Sequence, residues 1–445
     1  MKWLVNGLAA GALLIGHSAG AENLLQILDK AKLADPQFLG AGFEREAVGE
    51  SVKQARARLL PGITYSLEQM DSDQNIIQTP NDVFGSGQQD FETDTDTLTL
   101  SQSIFNYEYW MRYGQAKVAR TRADFEFEKA YQDLLLRVGE TYFELLKARE
   151  QLSSIAAEKK ALEGHLNYAK KSFDAGLGRE AEYQDARARY LSSVAQEVEY
   201  QRLYGDARYA MLEIIGHLPE RLEGMQRDLP LISPEPASSE DWVNRGLESN
   251  PDVKVAQEQL QEARYEIRAQ NAGHFPTLSL VIQDYTQESG GSLYGGQNEI
   301  EQQDVMLTLD VPIYQGGAVS SRKREAVKRM HKAQEDLTQV KRGVENQAQS
   351  AYHGVVANIA QIKALEQTVV AQQAVLDNRE RGFQSGLYGM IAVLDAQQDL
   401  AMAQMNYITA RNDYAINFIR LKRAAGVLID ADLSQVNGWL EASAK

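Results

Sequence analysis

Across 445 residues, the side chains able to act as nucleophiles, bases or metal ligands do not fall into a working arrangement. There is no Walker-type phosphate loop, no His-Glu-x-x-His helix and no dinucleotide-binding glycine fingerprint. Of the six histidines, the five beyond the N-terminal apolar run, His165, His217, His274, His331 and His353, are far apart and lack metal-ligand spacing, so each reads as a helix-surface residue or a cap. Zero cysteines exclude disulfides and thiolate chemistry. No catalytic centre, metal or cofactor is expected, and an enzyme is the weakest reading. What the spacing does single out is a turn that occurs twice. Ser172-Phe173-Asp174-Ala175-Gly176-Leu177, followed by Asp185-Ala186, recurs as Gly382-Phe383-Gln384-Ser385-Gly386-Leu387, followed by Asp395-Ala396.

The elements that carry these turns are also duplicated. Ile215-Gly216 maps onto Ala425-Gly426, and Pro36 and Pro61 stand as far apart as Pro251 and Pro276. Two pseudo-equivalent halves are expected, each with a full set of elements. The ten prolines all avoid two tracts, between Pro80 and Pro219 and after Pro312, and these are where uninterrupted helices can run. In the second tract Ala326, Met330, Ala333, Leu337, Val340, Val344, Ala348, Ala351, Val355, Ile359, Ile362, Leu365 and Val369 form one stripe at three-and-four spacing. The stripe continues through the polar Gln372 to Leu376. A weaker stripe runs through Leu145, Leu152, Ile155, Leu162, Leu166 and Phe173. A helix over 106–174 would reach roughly 100 Å, too long for the interior of a globule. Its return partner, 179–215, covers little more than half of it, and a shorter amphipathic helix over 36–59, matched by 251–274, is expected to cover the rest.

Between the short and long helices the pattern changes to period two. Ile63-Thr64-Tyr65-Ser66-Leu67-Glu68 and Thr97-Leu98-Thr99-Leu100-Ser101-Gln102-Ser103-Ile104 alternate apolar and polar residues. So do Thr277-Leu278-Ser279-Leu280 and Asp304-Val305-Met306-Leu307-Thr308-Leu309-Asp310-Val311. One wet and one apolar face over about ten residues suits a transmembrane barrel strand, although each segment alone fits a soluble sheet. Polar loops over 71–93 and 288–302 are expected to join each pair. Phe105, Tyr107, Tyr109, Trp110 and Tyr113, with Tyr314 in the second half, cluster where strand becomes helix, the depth aromatic rings favour at a membrane interface. Four strands cannot close a barrel, and open edges in hydrocarbon cost several kcal/mol per unpaired group. Several copies must pool their strands, and three are the smallest number that leaves a water-filled bore.

The organisation expected is a leader over 1–21, a first repeat over 22–216, a linker over 217–239, a second repeat over 240–426 and a tail over 427–445. The first repeat holds a strand pair at 62–75 and 94–105 and a hairpin over 106–216; the second holds strands at 277–288 and 303–313 and a hairpin over 317–426. Lys2, an apolar run over 4–15 and Ala19-Gly20-Ala21 have the order of a secretory signal peptide cleaved after Ala21. With no cysteine, the mature N-terminus carries no lipid. A net charge of -16, from 62 acidic and 46 basic residues, argues against nucleic acid as a partner. After the leader no stretch approaches the ~18 apolar residues of a transmembrane helix.

Val311-Pro312-Ile313-Tyr314-Gln315-Gly316-Gly317, His274-Phe275-Pro276-Thr277-Leu278 and the paired Phe-x-x-Gly-Leu turns resemble the TolC family of outer-membrane export ducts, over nearly all of the mature chain. The resemblance implies a mainly α protein with transmembrane β: a homotrimer with four strands per chain in a shared twelve-stranded barrel, continued by a long α-helical coiled-coil tunnel across the periplasm of a Gram-negative bacterium. It implies a passive conduit, docked by a periplasmic adaptor (membrane fusion protein) and an inner-membrane transporter of the ABC or RND type, with outer-membrane lipid around the strands. Phe173, Gly176, Leu177, Phe383, Gly386 and Leu387 then become the adaptor-docking tips. Glu182, Asp185, Tyr388, Ala392 and Asp395 fall at the periplasmic entrance, where threefold symmetry would make Asp395 a ring of carboxylates.

The chain departs from the family where a Tyr and an Arg hold the entrance shut in some members. Those positions are Phe383, without a hydroxyl, and Tyr388, without a charge. Closure is expected to rest instead on packing of Phe173, Phe383 and the two leucines. A soluble periplasmic adaptor or coiled-coil scaffold would share the helical stripe but not four alternating segments in two equivalent pairs.

Overall fold

The computed structural model describes residues 21–78, 87–219, 221–291 and 296–441. The expected leader, apart from Ala21, lies outside them, as does the end of the tail. Six elements follow one another in the first half: α1 (Leu24–Ala34), α2 (Pro36–Ala57), β1 (Gly62–Ile76), β2 (Gly87–Phe105), α3 (Tyr107–Asp174) and α4 (Glu180–Ile215). After β3 (Gly224–Met225) the same order recurs as α5 (Ser239–Ser249), α6 (Pro251–Asn271), β4 (Thr277–Ser289), β5 (Asn298–Asp310), α7 (Ala318–Gln384) and α8 (Met390–Ala424). α9 (Asp430–Asn437) and β6 (Leu440–Glu441) complete the described chain. The long helices have 68 and 67 residues and their return helices 36 and 35.

Local chemistry starts the equivalent helices in equivalent ways. Before α2, the Asp35 carboxylate accepts the Phe38 N–H at 2.7 Å, and Pro36 at the first helical position has no N–H to leave unpaired. Asn250 and Pro251 repeat this pairing of a capping residue with proline ahead of α6.

The chain forms two compact units. One contains Gly40–Lys129 and Pro251–Gly343 and is organised by an antiparallel sheet in the order β1-β2-β4-β5. Its register aligns apolar side chains across all four strands: Ile63 faces Leu100, Leu100 faces Ile282 and Ile282 faces Val305. On the same face Leu280 pairs with Leu307 and Leu278 with Leu309, while Thr64, Thr99, Gln283 and Asp304 line up on the other. Val305, Leu307, Leu309, Val311 and Ile313, every second residue, are all exposed. They mark a band of roughly 27 Å at ~3.3 Å per residue. At the strand-to-helix boundary the Tyr107 and Phe275 rings meet at 4.8 Å, and Trp110 is exposed.

The strands run farther than their alternation indicates. Residues 87–93 and 298–302, expected as loop, belong to the ladder, so β2 begins at Gly87 rather than 94 and β5 at Asn298 rather than 303. Beyond Leu67 the apolar side of the sheet turns polar: Asp96, Thr286 and Glu301 share its rung, then Gln69, Asp94, Glu288 and Glu299. With both faces wet, backbone pairing continues while the period-two contrast vanishes. β5 stops at Asp310, short of the expected 313, because Pro312 has no N–H for the ladder.

The other unit contains the residues up to Leu39, Ala130–Asn250 and those from Val344 onward. Its core joins Leu24, Ile27 and Leu28 of α1 to Leu134, Val138 and Tyr142 of α3, Met211 of α4, and Tyr414, Phe418 and Ile419 of α8. Trp439 stacks on Tyr414 and meets Phe418 edge-on, each at 5.3 Å. The segment after α4 is tied to the helices through its backbone: Arg149 donates to the Leu222 carbonyl at 2.6 Å and Tyr142 to the Glu223 carbonyl at 3.1 Å. Along α7 the sequence stripe is the buried face, with Ala348, Val355 and Ile362 at most 2 % exposed.

Candidate functional site

The two turns joining each long helix to its return partner are built alike. At the first, Gly176 takes φ 72° and donates its N–H to Phe173 O at 2.8 Å, while Leu177 N–H reaches Ser172 O at 2.9 Å. At the second, Gly386 takes φ 77° and donates to Phe383 O at 3.0 Å, while Leu387 N–H reaches Gly382 O at 2.7 Å. A left-handed residue lets the last carbonyls of the helix be satisfied by the reversing chain, and glycine adopts that conformation without Cβ strain. Leu177 and Leu387 are left 88 % and 73 % exposed.

The expected tip packing is therefore only partly present. Phe173 stacks on Tyr183 with ring centroids 5.9 Å apart. Phe383 meets Tyr168 edge-on at 5.4 Å and packs against two clusters, one with Leu162, Met390 and Leu394, the other with Leu376 and Val393. The leucines join neither, because the reversing backbone points them to solvent. Tyr388 lies under the Arg379 guanidinium at 4.3 Å from its ring centroid, and its ring occupies the space a Cβ on Gly382 would need. Burial pushes the nearby His165 imidazole down, against the opposing pull of Glu380.

Of the residues expected at the entrance, Asp185 and Asp395 are drawn onto one cation, Arg189 of α4. Its Nη2 donates to Asp395 Oδ1 of α8 at 2.6 Å, its Nη1 to Gln398 Oε1 at 2.9 Å and its Nε to Asp185 Oδ2 at 3.2 Å. Glu182 and Ala392 are half-buried and lie outside this cluster. Arg189 and Gln398 also edge a groove of about 730 Å³ lined by Leu162 of α3, Leu394, Ala401, Met402 and Met405 of α8. Glu158 lines the same groove, and burial pushes its carboxyl up.

Arg189 escaped the sequence reading. Its spacing from Asp185, one helical turn, was visible; its partners on α8 were not. A second cluster had no sequence signal: Glu150 of α3 accepts from Asn412 Nδ2 at 3.4 Å, and the buried Asn412 Oδ1 has no hydrogen-bond partner among the described residues. The run Gly16-His17-Ser18-Ala19-Gly20 has the Gly-x-Ser-x-Gly spacing of a nucleophile elbow, but it falls in the expected leader, outside the described residues.

Comparison with known proteins decides the relationship. The model of the family described as "Outer membrane efflux protein" matches residues 27–217 and 242–427. The chain belongs to this family. The two matched segments correspond to the two structural repeats. Outer membrane protein TolC of Vibrio cholerae serotype O1 is 28% identical over 456 residues, covering 100% of both chains. The alkaline protease secretion protein AprF of Pseudomonas aeruginosa is 29% identical, covering 98% of this chain and 90% of its own. Among solved structures, the outer membrane protein VceC of Vibrio cholerae superimposes with a TM-score of 0.75 at 17% identity, covering 91% of this chain and 96% of that one. An outer membrane efflux protein is thus an outer-membrane component with a channel-type fold of sheet and long helical hairpins.

Proposed function

We propose that this outer membrane efflux protein is the exit duct through which a transporter complex passes its cargo out of the cell. The observation that carries the reading is the sheet: one face is apolar in register across four strands, while β1 and β5 remain as edges without a partner strand among the described residues. Such edges are tolerated in lipid only when a further copy pairs with them, so the duct is a homotrimer with twelve shared strands, surrounded by outer-membrane lipid. AprF is named for secretion of an alkaline protease and the family for efflux; both kinds of cargo suit a duct whose selectivity resides upstream. The chain passes cargo without catalysing a reaction on it.

The tips at Gly176-Leu177 and Gly386-Leu387 dock a periplasmic adaptor, which links the duct to an inner-membrane transporter of the ABC or RND type. Two solvent-exposed leucines held on identical rigid turns are the anchors such docking requires. The entrance lies beside them, at Glu182, Asp185, Tyr388, Ala392 and Asp395.

Membrane fractionation tests the duct. The protein should require detergent for extraction, run as a large oligomer and conduct ions in a planar bilayer. A stable, water-soluble, non-conducting monomer would overturn the proposal. Photo-crosslinkers at Leu177 and Leu387 should capture the adaptor, whereas a crosslinker at the exposed Val370, away from the turns, should not.

A further inference from the structure

We propose that the end of the sheet leading into the helices carries a binding surface for anionic phospholipid headgroups, built from Arg56 and Arg58 beside β1 and from Arg322, Lys323, Arg324 and Lys328 beside β5. The proposal rests on the reading of the apolar sheet face as lipid-facing given above. Gly62, Phe105, Thr277 and Asp310 mark one end of the ladder. The six basic residues all adjoin that end, and all are exposed. The opposite end carries acids instead, with Asp73 across from Asp90 and Glu288 across from Glu299.

None of the six side chains has an ion-pair or hydrogen-bond partner among the described residues, whereas the neighbouring Arg329 is paired with Glu325 at 2.5 Å and Lys53 with Glu50 at 2.6 Å. Residues 318–330 hold five basic side chains against the single acid Glu325, in a chain of net charge -16. α7 has no acid in its first turn and three of these cations in its second, the reverse of what its own positive N-terminus favours. The cations do not serve the helix, so an outside anion is what they fit. Position selects that anion. The apolar band ends at Ile313, and Arg324 and Lys328 stand one turn apart on the face of α7 opposite the buried Val319 and Ala326. They lie about 9 and 15 Å along the helix from its start. Headgroups fill the ~5–8 Å beyond each side of the hydrocarbon, within reach of long side chains that extend back toward the interface. A lipid surface therefore fits better than an acidic protein, because the charges continue directly from the apolar band. On the other edge Arg58 lines an open groove of about 460 Å³ with Leu60, Asn106 and Tyr109, which can seat a phosphodiester. In the homotrimer proposed above, β1 and β5 of neighbouring copies would meet and bring both groups of cations to one seam.

The experiment reconstitutes the purified full-length protein in phosphatidylcholine vesicles and measures, by electron spin resonance, how much of a chain-labelled phosphatidylglycerol or phosphatidylcholine probe it immobilises. The phosphatidylglycerol probe should be preferred on the order of fivefold, and the preference should shrink in ~1 M salt. Lys323→Gln, Arg324→Gln and Lys328→Gln combined should bring it to about twofold or less. These side chains are exposed and unpaired, so the variant keeps its fold. Lys363→Gln, an exposed position farther along α7, should leave the preference unchanged. Equal immobilisation of the two probes by the unsubstituted protein would overturn the proposal, as would a triple variant that keeps the full preference. A protein that immobilises neither probe would instead overturn the lipid-facing sheet, and this surface with it, which separates the two failures.

Discussion

Glu150 shows how a single side chain makes this protein sensitive to pH. Its burial pushes the carboxyl above the usual range, opposed by Arg411, Asn412 and Arg149. In the unfolded chain the group ionises near pH ~4.3, so the folded state keeps the proton to higher pH. Its contribution is fully present below the unfolded value and is lost as pH rises through the folded one. Glu150→Gln abolishes that loss and supplies a donor for the unpartnered Asn412 Oδ1. Thermal unfolding should find the variant more stable than the unsubstituted protein at neutral pH, with the gap closing below pH ~4. Glycines give a second contrast. A Cβ at Gly386 meets nothing within 4 Å, so Gly386→Ala carries only the left-handed backbone cost of ~1–2 kcal/mol, visible as faster hydrogen exchange over the tip. At Gly426 the same Cβ would sit 2.3 Å from Asn250 Cα, and Gly426→Ala should sharply reduce the yield of folded protein. The duplicated turn glycines were legible because their type and spacing recur. The Arg189 cluster was not, since an ion pair between α4 and α8 depends on the facing angle of two helices, which no local pattern encodes.

At the scale of elements, the alternation in β5 makes opposite demands on neighbouring residues. Leu307 lies on the apolar face opposite Leu280, and Thr308 on the polar face opposite Ser279. Leu307→Arg should cost ~2–4 kcal/mol in urea titrations of folding into lipid vesicles, and Thr308→Arg little. Equal costs would mean that neither face meets hydrocarbon. Strand and helix were legible wherever one side of an element is apolar: Ile63, Tyr65 and Leu67 along β1, or the buried Ala348, Val355 and Ile362 along α7. They were illegible where both sides are polar, which is why 87–93 and 298–302 looked like loop. Helices α1 and α5 went unresolved for a different reason. Each has only 11 residues, too few turns for a stripe to stand out, and packing against the rest of its unit holds it in place.

At the scale of the whole molecule, charge is distributed unevenly. No Lys or Arg occurs between Arg58 and Arg112 or between Arg268 and Arg322, the two stretches that contain all four strands of the sheet. Carboxylates stand on both of its faces, Asp94 and Glu299 on one, Glu68 and Asp304 on the other. Reversal potentials in a potassium chloride gradient should therefore show a preference for cations that weakens as salt shortens the ~10 Å screening length. A chloride preference would place the acids away from the conducting path. The strand order β1-β2-β4-β5 has a genetic consequence as well. In the homotrimer proposed above, neighbouring copies would join β5 of one to β1 of the next, head to tail, so that a ring would use every seam once and have none to spare. One copy with a blocked β5 edge poisons any ring it enters. Co-expressed in equal amounts with intact chains, it should leave about one ring in eight whole under random threefold mixing, a dominance that a freestanding monomer would never display.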